Sequence, residues 1–138
     1  LNKLKGKIIG IESSAAMSLV KIGVQEDVFY SVILETPETS AGLKIGQAVT
    51  VLFKETEVAI AKNLSGMISL RNRNLSRIRC VIIDKILAKI ILDYKGANIV
   101  SIITAGSALR MGLKEGDEVE WLVKTNEISL LFGDKHDL

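Results

Sequence analysis

Residues 31–60 read SVILETPETSAGLKIGQAVTVLFKETEVAI, and residues 101–130 read SIITAGSALRMGLKEGDEVEWLVKTNEISL. Laid one over the other, they align without a gap at an offset of 70. Gly42, Leu43, Lys44 and Gly46 fall on Gly112, Leu113, Lys114 and Gly116, and Val49, Leu52, Lys54 and Glu57 fall on Val119, Leu122, Lys124 and Glu127. The same offset pairs Asn2 with Asn72 and Ile8 with Ile78. LVKI at 19–22 fits LAKI at 87–90 better at an offset of 68, so small compensating gaps belong in the loops. Self-similarity over such a length marks a duplicated supersecondary unit. Two repeats are expected, 1–63 and 69–133, joined near KNLSGMI (62–68) and followed by a tail at 134–138 that carries the lone His136.

Each copy reads as short strands. In the first they are Gly6–Glu12, Met17–Val24, Val28–Glu35, Ala48–Phe53 and Glu57–Ala61, all rich in β-branched residues. QED and YKGAN read as hairpin turns. A short helical turn is expected before each GLK(I/E)G, capped by Thr36 in the first copy and by Thr104 or Gly106 in the second. Gly42 and Gly112 then suit left-handed C-caps. Five strands and one short helix per copy is the inventory of an OB-like barrel. The expected fold is mainly β: two tandem OB-like five-stranded barrels, each with a short helical turn.

Composition narrows the function. About half of the 138 residues are apolar, with three Phe, two Tyr and one Trp, so the core is built from Ile, Val and Leu. A net charge of +2 does not by itself point to nucleic acid. Four of the five arginines, Arg71, Arg73, Arg77 and Arg79, lie within nine residues and alternate, as the polar face of a strand would. One cysteine permits no disulfide within the chain, which fits the cytoplasm, and Cys80 reads as a small core residue. One Cys and one His leave no metal site by direct ligation. No apolar stretch approaches the length of a membrane span and no signal peptide is visible. The chain begins at Leu1 without Met and is read as a piece excised from a longer protein.

Asn2-Lys3-Leu4-Lys5-Gly6-Lys7-Ile8 resembles the later part of the S-A-R-N-x-L-x-G-x-(V/I) opening of the TOBE/Mop (molbindin) domains. Ser69-Leu70-Arg71-Asn72 resembles a second opening, with Leu70 in place of Ala. Thr104-Ala105-Gly106-Ser107 is similar to the family's T-x-x-S segment, and Lys124 falls where the family's lysine does. The likeness runs over nearly the whole chain as a tandem pair. It implies binding of molybdate or tungstate between subunits. The setting it implies is storage or homeostasis, the sensing half of a molybdate-responsive transcription regulator, or the end of an importer ATPase. It also implies a homodimer or larger homo-oligomer, with DNA contacted only through an N-terminal domain outside this sequence. The donors it implies are Ser69, Arg71, Asn72, Thr104, Ser107 and Lys124, with Lys54 as the counterpart in the first copy.

The chemistry suits those residue types. Molybdate is a tetrahedral dianion whose metal is already saturated by oxo groups, so it needs hydrogen-bond donors rather than Cys, His or carboxylate ligands. A turn entering a short helix also aims free N–H groups outward. Thr104 and Ser107 serve equally well as cap and turn residues, and Lys124 as a solvated strand residue. In the first copy Leu34 and Pro37 stand at the positions of Thr104 and Ser107, and Leu1 stands at that of Arg71. Ser76 and Arg79 depart from the usual glycine and apolar residue of the second opening. At most one competent site type per chain is therefore expected, built mainly by the second copy and a neighbouring chain, the alternative being a fold that has lost oxyanion binding.

Two other readings compete. An OB-like surface could bind nucleic acid, favoured by the arginine cluster and the lysine-rich first strand and opposed by the shortage of aromatics for stacking. A protein-interaction module is the other, since GSALRMGLKEGDEV (106–119) resembles a turn of PDZ domains. An enzyme is not expected: no acid–base pair, nucleophile with His, or phosphate loop is present.

Overall fold

The computed structural model describes residues 1–133; the tail with His136 lies outside the described residues. The strands are β1 (Asn2–Ser14), β2 (Met17–Val24), β3 (Asp27–Ile33), β4 (Ala48–Phe53), β5 (Ala59–Ala61), β6 (Asn72–Ile83), β7 (Leu87–Tyr94), β8 (Ala97–Thr104), β9 (Glu118–Val123) and β10 (Ser129–Phe132). One helix, α1 (Ala105–Arg110), follows β8, and 3-10 turns at Glu55–Glu57 and Thr125–Glu127 lead into β5 and β10. Alternation explains the strands. In β2, Ser18, Val20, Ile22 and Val24 are buried while Met17 and Lys21 are exposed. The protein is mainly β, with two five-stranded sheets in the orders β10-β4-β1-β2-β3 and β5-β9-β6-β7-β8.

The folded units cut across the sequence repeats. One compact unit holds Leu1–Asn2 and Lys54–Val123; the other holds residues 3–53 and the chain from Lys124 onward. Strand β5, from the first repeat, pairs with β9, and β10, from the second, pairs with β4. The two pairings are one pairing repeated: Ala59 faces Leu122 and Ser129 faces Leu52, each position shifted by 70. A duplicated sequence makes such an exchange inexpensive, because either copy of the terminal strand offers the same register and side chains.

Each sheet closes on itself through a serine. Ser101 on edge strand β8 donates to the Val58 carbonyl, just ahead of the opposite edge strand β5, at 2.6 Å. Ser31 on β3 donates to the Ile128 carbonyl, just ahead of β10, at 2.7 Å. Both serines are fully buried. Both sheets bend at the same place, with a register shift between Ile8 and Gly10 in β1 and between Ile78 and Cys80 in β6. There Ile8 and Ile78 hold the turn of the GLK(I/E)G motif: the Gly46 and Gly116 N–H groups donate to their carbonyls at 2.8 Å. The φ values of 88° and 89° at Gly46 and Gly116 explain the glycines.

In the unit holding Lys54–Val123 the core forms around Trp121 and Tyr94, whose rings meet edge to face at 5.3 Å. The Trp121 indole N–H is satisfied by the Ser76 hydroxyl at 3.0 Å. In the unit holding residues 3–53, the buried Ile8, Val20, Ile22, Phe29, Leu43, Val49, Val51 and Phe53 make the core.

Several expectations need correction. The first copy has no helix before its GLKIG; Thr36–Pro37–Glu38–Thr39 forms a turn in which the Thr39 hydroxyl accepts from the Thr36 N–H at 2.8 Å. Gly42 does not enter the left-handed region, unlike Gly112 at φ 60°. Its lack of a side chain admits Phe132, whose Cβ would lie 3.0 Å from an added Cβ. Cys80 is half-buried beside the bulge rather than in the core.

Replacing Ser101 with Ala leaves the Val58 carbonyl buried without a donor. The expected cost is about 1–3 kcal/mol, read as a lower unfolding midpoint from the fluorescence of Trp121, which lies in the same unit. An unchanged midpoint would mean that the bond does not close the sheet.

Candidate anion-binding site

Strand β8 ends at Thr104, and the chain turns at once into α1. Thr104 adopts the extended conformation of an N-cap, and its hydroxyl accepts from the Ser107 N–H at 3.1 Å. That hydroxyl in turn donates to Ser107 Oγ at 2.9 Å, and Arg110 Nη2 donates to the same oxygen at 3.4 Å. Thr104 and Arg110 are exposed and Ser107 is half-buried. Among the described residues no carboxylate is bonded to any of the three. A hydroxyl pair with a guanidinium alongside therefore faces solvent with donor capacity unspent: the Ser107 proton and most of the Arg110 fork.

The helix is fixed at its other end by Lys62, the residue after β5. Its ammonium donates to the Met111 and Gly112 carbonyls at 3.3 and 3.4 Å and pairs with Asp117 at 3.1 Å. A cation on the last carbonyls of a helix is the favourable end for it. Asp117 Oδ2 also accepts from the Lys114 N–H at 3.1 Å, so the α1–β9 loop and β5 are tied at one carboxylate. The Lys62 ammonium holds the Asp117 carboxyl below its ordinary value, and the Lys114 N–H reinforces this.

The other sequence-predicted residues are distributed as follows. Lys54 heads the 3-10 turn at Glu55–Glu57 in the unit that carries Thr104, and Lys124 heads the equivalent turn in the other unit. Both are exposed, and among the described residues neither ammonium has a hydrogen bond or ion pair. The turn after Lys54 reaches β8 at Ser101, three residues before Thr104, about 10 Å along a strand. Ser69 and Arg71 are exposed on the connector ahead of β6. Asn72 is buried, and its amide donates to the Val123 carbonyl at 3.1 Å within the β6–β9 ladder. Its counterpart Asn2 brackets Val100 on the edge of β8, donating to its carbonyl at 2.9 Å and accepting from its N–H at 2.8 Å. Both asparagines satisfy backbone groups that strands leave open, so Asn72 has no amide proton turned to solvent at the hydroxyl pair.

The structure thus brings together Thr104, Ser107 and Arg110. Arg110 was missed in the sequence, though its spacing of three from Ser107 places both on one helix face. Lys62 carried no local signal, because its partners lie 49 to 55 residues away. Among the described residues no group of His, Cys, Asp or Glu could hold a metal ion, and no helix is long and apolar enough to cross a membrane.

No protein-family model and no curated protein matches the sequence. Among solved structures, the chain is similar to the cytoplasmic molybdate-binding protein ModG in a crystal form with molybdate bound. The TM-score is 0.89 at 21% identity, covering 96% of each chain, so the two share their fold almost end to end. A molybdate-binding protein from Sporomusa ovata is 36% identical over 48% of this chain and 98% of its own, with a TM-score of 0.47.

The Lys62–Asp117 tie predicts a pH dependence with a definite sign. A carboxylate whose pKa is lowered on folding contributes stability above its unfolded value, about 4, and that contribution is lost as pH falls through the lowered folded value. Asp117→Asn is expected to lower the Trp121-monitored unfolding midpoint at pH 7 and to converge on the parent chain as acidification protonates the carboxyl in the folded state. A gap that persists unchanged at the acid end would contradict the tie.

Proposed function

We propose that this chain binds molybdate, and tungstate as its near twin, as a binding protein rather than an enzyme. The observation that carries the reading is the solvent-facing donor cluster of Thr104, Ser107 and Arg110 in a fold shared with a protein solved with molybdate bound. A saturated oxyanion is recognised by such donors without direct ligation of its metal. Ser107 and Arg110 supply hydroxyl and guanidinium protons, and Thr104 sets the geometry of both.

A hydroxyl and a guanidinium on one turn do not enclose a tetrahedral dianion. The remaining contacts are supplied by the charges of Lys124, Lys54 and Arg71 and the hydroxyl of Ser69, all exposed elsewhere on the chain, and the site is completed at an interface between copies in a homodimer or larger assembly. The first copy lacks the hydroxyl pair, since Leu34 and Pro37 replace it, so the second copy provides the competent turn. Storage, homeostasis and sensing in a regulator all begin with this binding step in the cytoplasm. Contact with DNA would fall to a separate domain.

The test is calorimetric titration with molybdate and tungstate, with sulfate and phosphate as controls, alongside light scattering. Micromolar or tighter binding of molybdate or tungstate is expected, by a chain that scatters as a dimer or larger. Ser107→Ala, Arg110→Gln and Lys124→Ala should each weaken it about tenfold to a hundredfold, the loss of one charge-assisted bond. The absence of both heat and thermal shift with every oxyanion would refute the function. A monomer that binds fully would refute the interface.

A further inference from the structure

Strand β1 carries a row of lysines that its counterpart in the second repeat does not leave free. Asn2, Leu4 and Ile8 are buried while Lys3, Lys5 and Lys7 between them are exposed, so the three lysines share the outer face of the sheet. On the neighbouring β2, Lys21 is also exposed and sits opposite Gly10, its stem lying across the glycine; a Cβ added there would meet Lys21 Cδ at 3.1 Å. Lys7 faces Gly23, which offers no side chain. Among the described residues none of these four ammonium groups has a hydrogen bond or ion pair. The row ends beyond the bulge at Glu12, which lines a groove with Ile9, Ile11, Leu19 and Lys21.

The second repeat treats the same face differently. Arg73, at the position of Lys3, is held by Glu120 through two bonds of 3.0 Å. Leu75 stands at the position of Lys5, and Arg77, at that of Lys7, donates to the Gly116 carbonyl at 3.2 Å. Arg79 pairs with Asp93 at 2.8 Å. The acids Glu120 and Asp93 stand at the positions of Thr50 and Gly23, so the first repeat has neither counter-charge. The face of the first repeat is thus a cationic row without a counter-charge opposite it.

We propose that this face of β1 and β2 binds the phosphate backbone of single-stranded nucleic acid. Alternate residues of a strand recur about every 6.6 Å, so Lys3, Lys5 and Lys7 form a straight line of charges that an extended chain of phosphodiesters can follow. OB-like barrels take oligonucleotides on the face of their second and third strands; Lys21 lies on β2, and the lysine row runs on β1 beside it. Strand β1 is interior in its sheet, so an acidic peptide could not add to it as a further strand. No helix is offered to a duplex groove on this face. Tyr30, half-buried on β3 opposite Lys21, is the one aromatic beside the row, so stacking contributes little and recognition is sequence-tolerant. The proposal is independent of the oxyanion reading, which is centred on α1 of the other unit and shares no residue with this row.

The experiment is fluorescence anisotropy of a labelled oligo-dT with the whole chain, from 20 mM salt upward. Binding is expected to weaken with salt at a log–log slope of about −2 to −3, for three or four phosphates neutralised on a single strand. Lys3→Gln, Lys5→Gln and Lys7→Gln combined should abolish it, and Lys85→Gln in the other unit should leave it unchanged. Thermal unfolding of the triple variant shows that it is folded. The proposal is overturned by no anisotropy change at 20 mM salt, or by full binding in the triple variant. Equal affinity for duplex, or displacement by polyglutamate at equal charge, also overturns it; the latter assigns the face to an acidic protein.

Discussion

The fifth strand of each barrel comes from the other repeat, and the rest of the molecule depends on that exchange. A four-stranded sheet of this kind has two open edges. Strands β5 and β10 fill one edge each, and the buried hydroxyls of Ser101 and Ser31 fasten the other edge to the carbonyl ahead of the incoming strand. A β5 of only three residues buries little by itself, so the hydrogen bond to Val58 and the pairing with β9 hold it in place.

The same strand positions the candidate site. Just after it, Lys62 holds the Met111 and Gly112 carbonyls that follow α1 and the carboxylate of Asp117. A six-residue helix has too few internal hydrogen bonds to persist alone. Thr104 fixes its first turn and Lys62 its last, and between them Ser107 and Arg110 are held on the exposed surface. Residues from both repeats therefore shape this one turn, though the hydroxyl pair is written in one repeat only.

Much of this was legible in the sequence. Strands β2 and β4 have the boundaries that alternation assigns, because Val20, Ile22 and Val24, like Val49, Val51 and Phe53, recur at the period of a strand. Strand β1 begins earlier than expected, since Asn2 and Leu4 already alternate with lysines ahead of Gly6. The sequence left Thr104 or Gly106 as the cap, and the structure places it at Thr104, whose hydroxyl accepts from the Ser107 N–H. The exchange was not, because a gap-free repeat gives Ala59 and Ser129 the same ladder positions and sequence cannot say which copy is partnered. Asn72 reads as a polar donor in a motif, yet burial assigns its amide to the Val123 carbonyl. Gly42 reads as a helix cap, yet its smallness serves Phe132, a contact formed 90 residues away.

The central claim is that an oxyanion rests on the turn held by Thr104 and Lys62. The most direct measurement is the anomalous difference map of crystals grown with tungstate, whose scattering locates the metal without reference to its surroundings. The account predicts a peak whose oxo groups lie within hydrogen-bond distance of Ser107 and Arg110, with an exposed lysine of a neighbouring copy closing the cage. A peak held by other residues, or none at saturating tungstate, would contradict it.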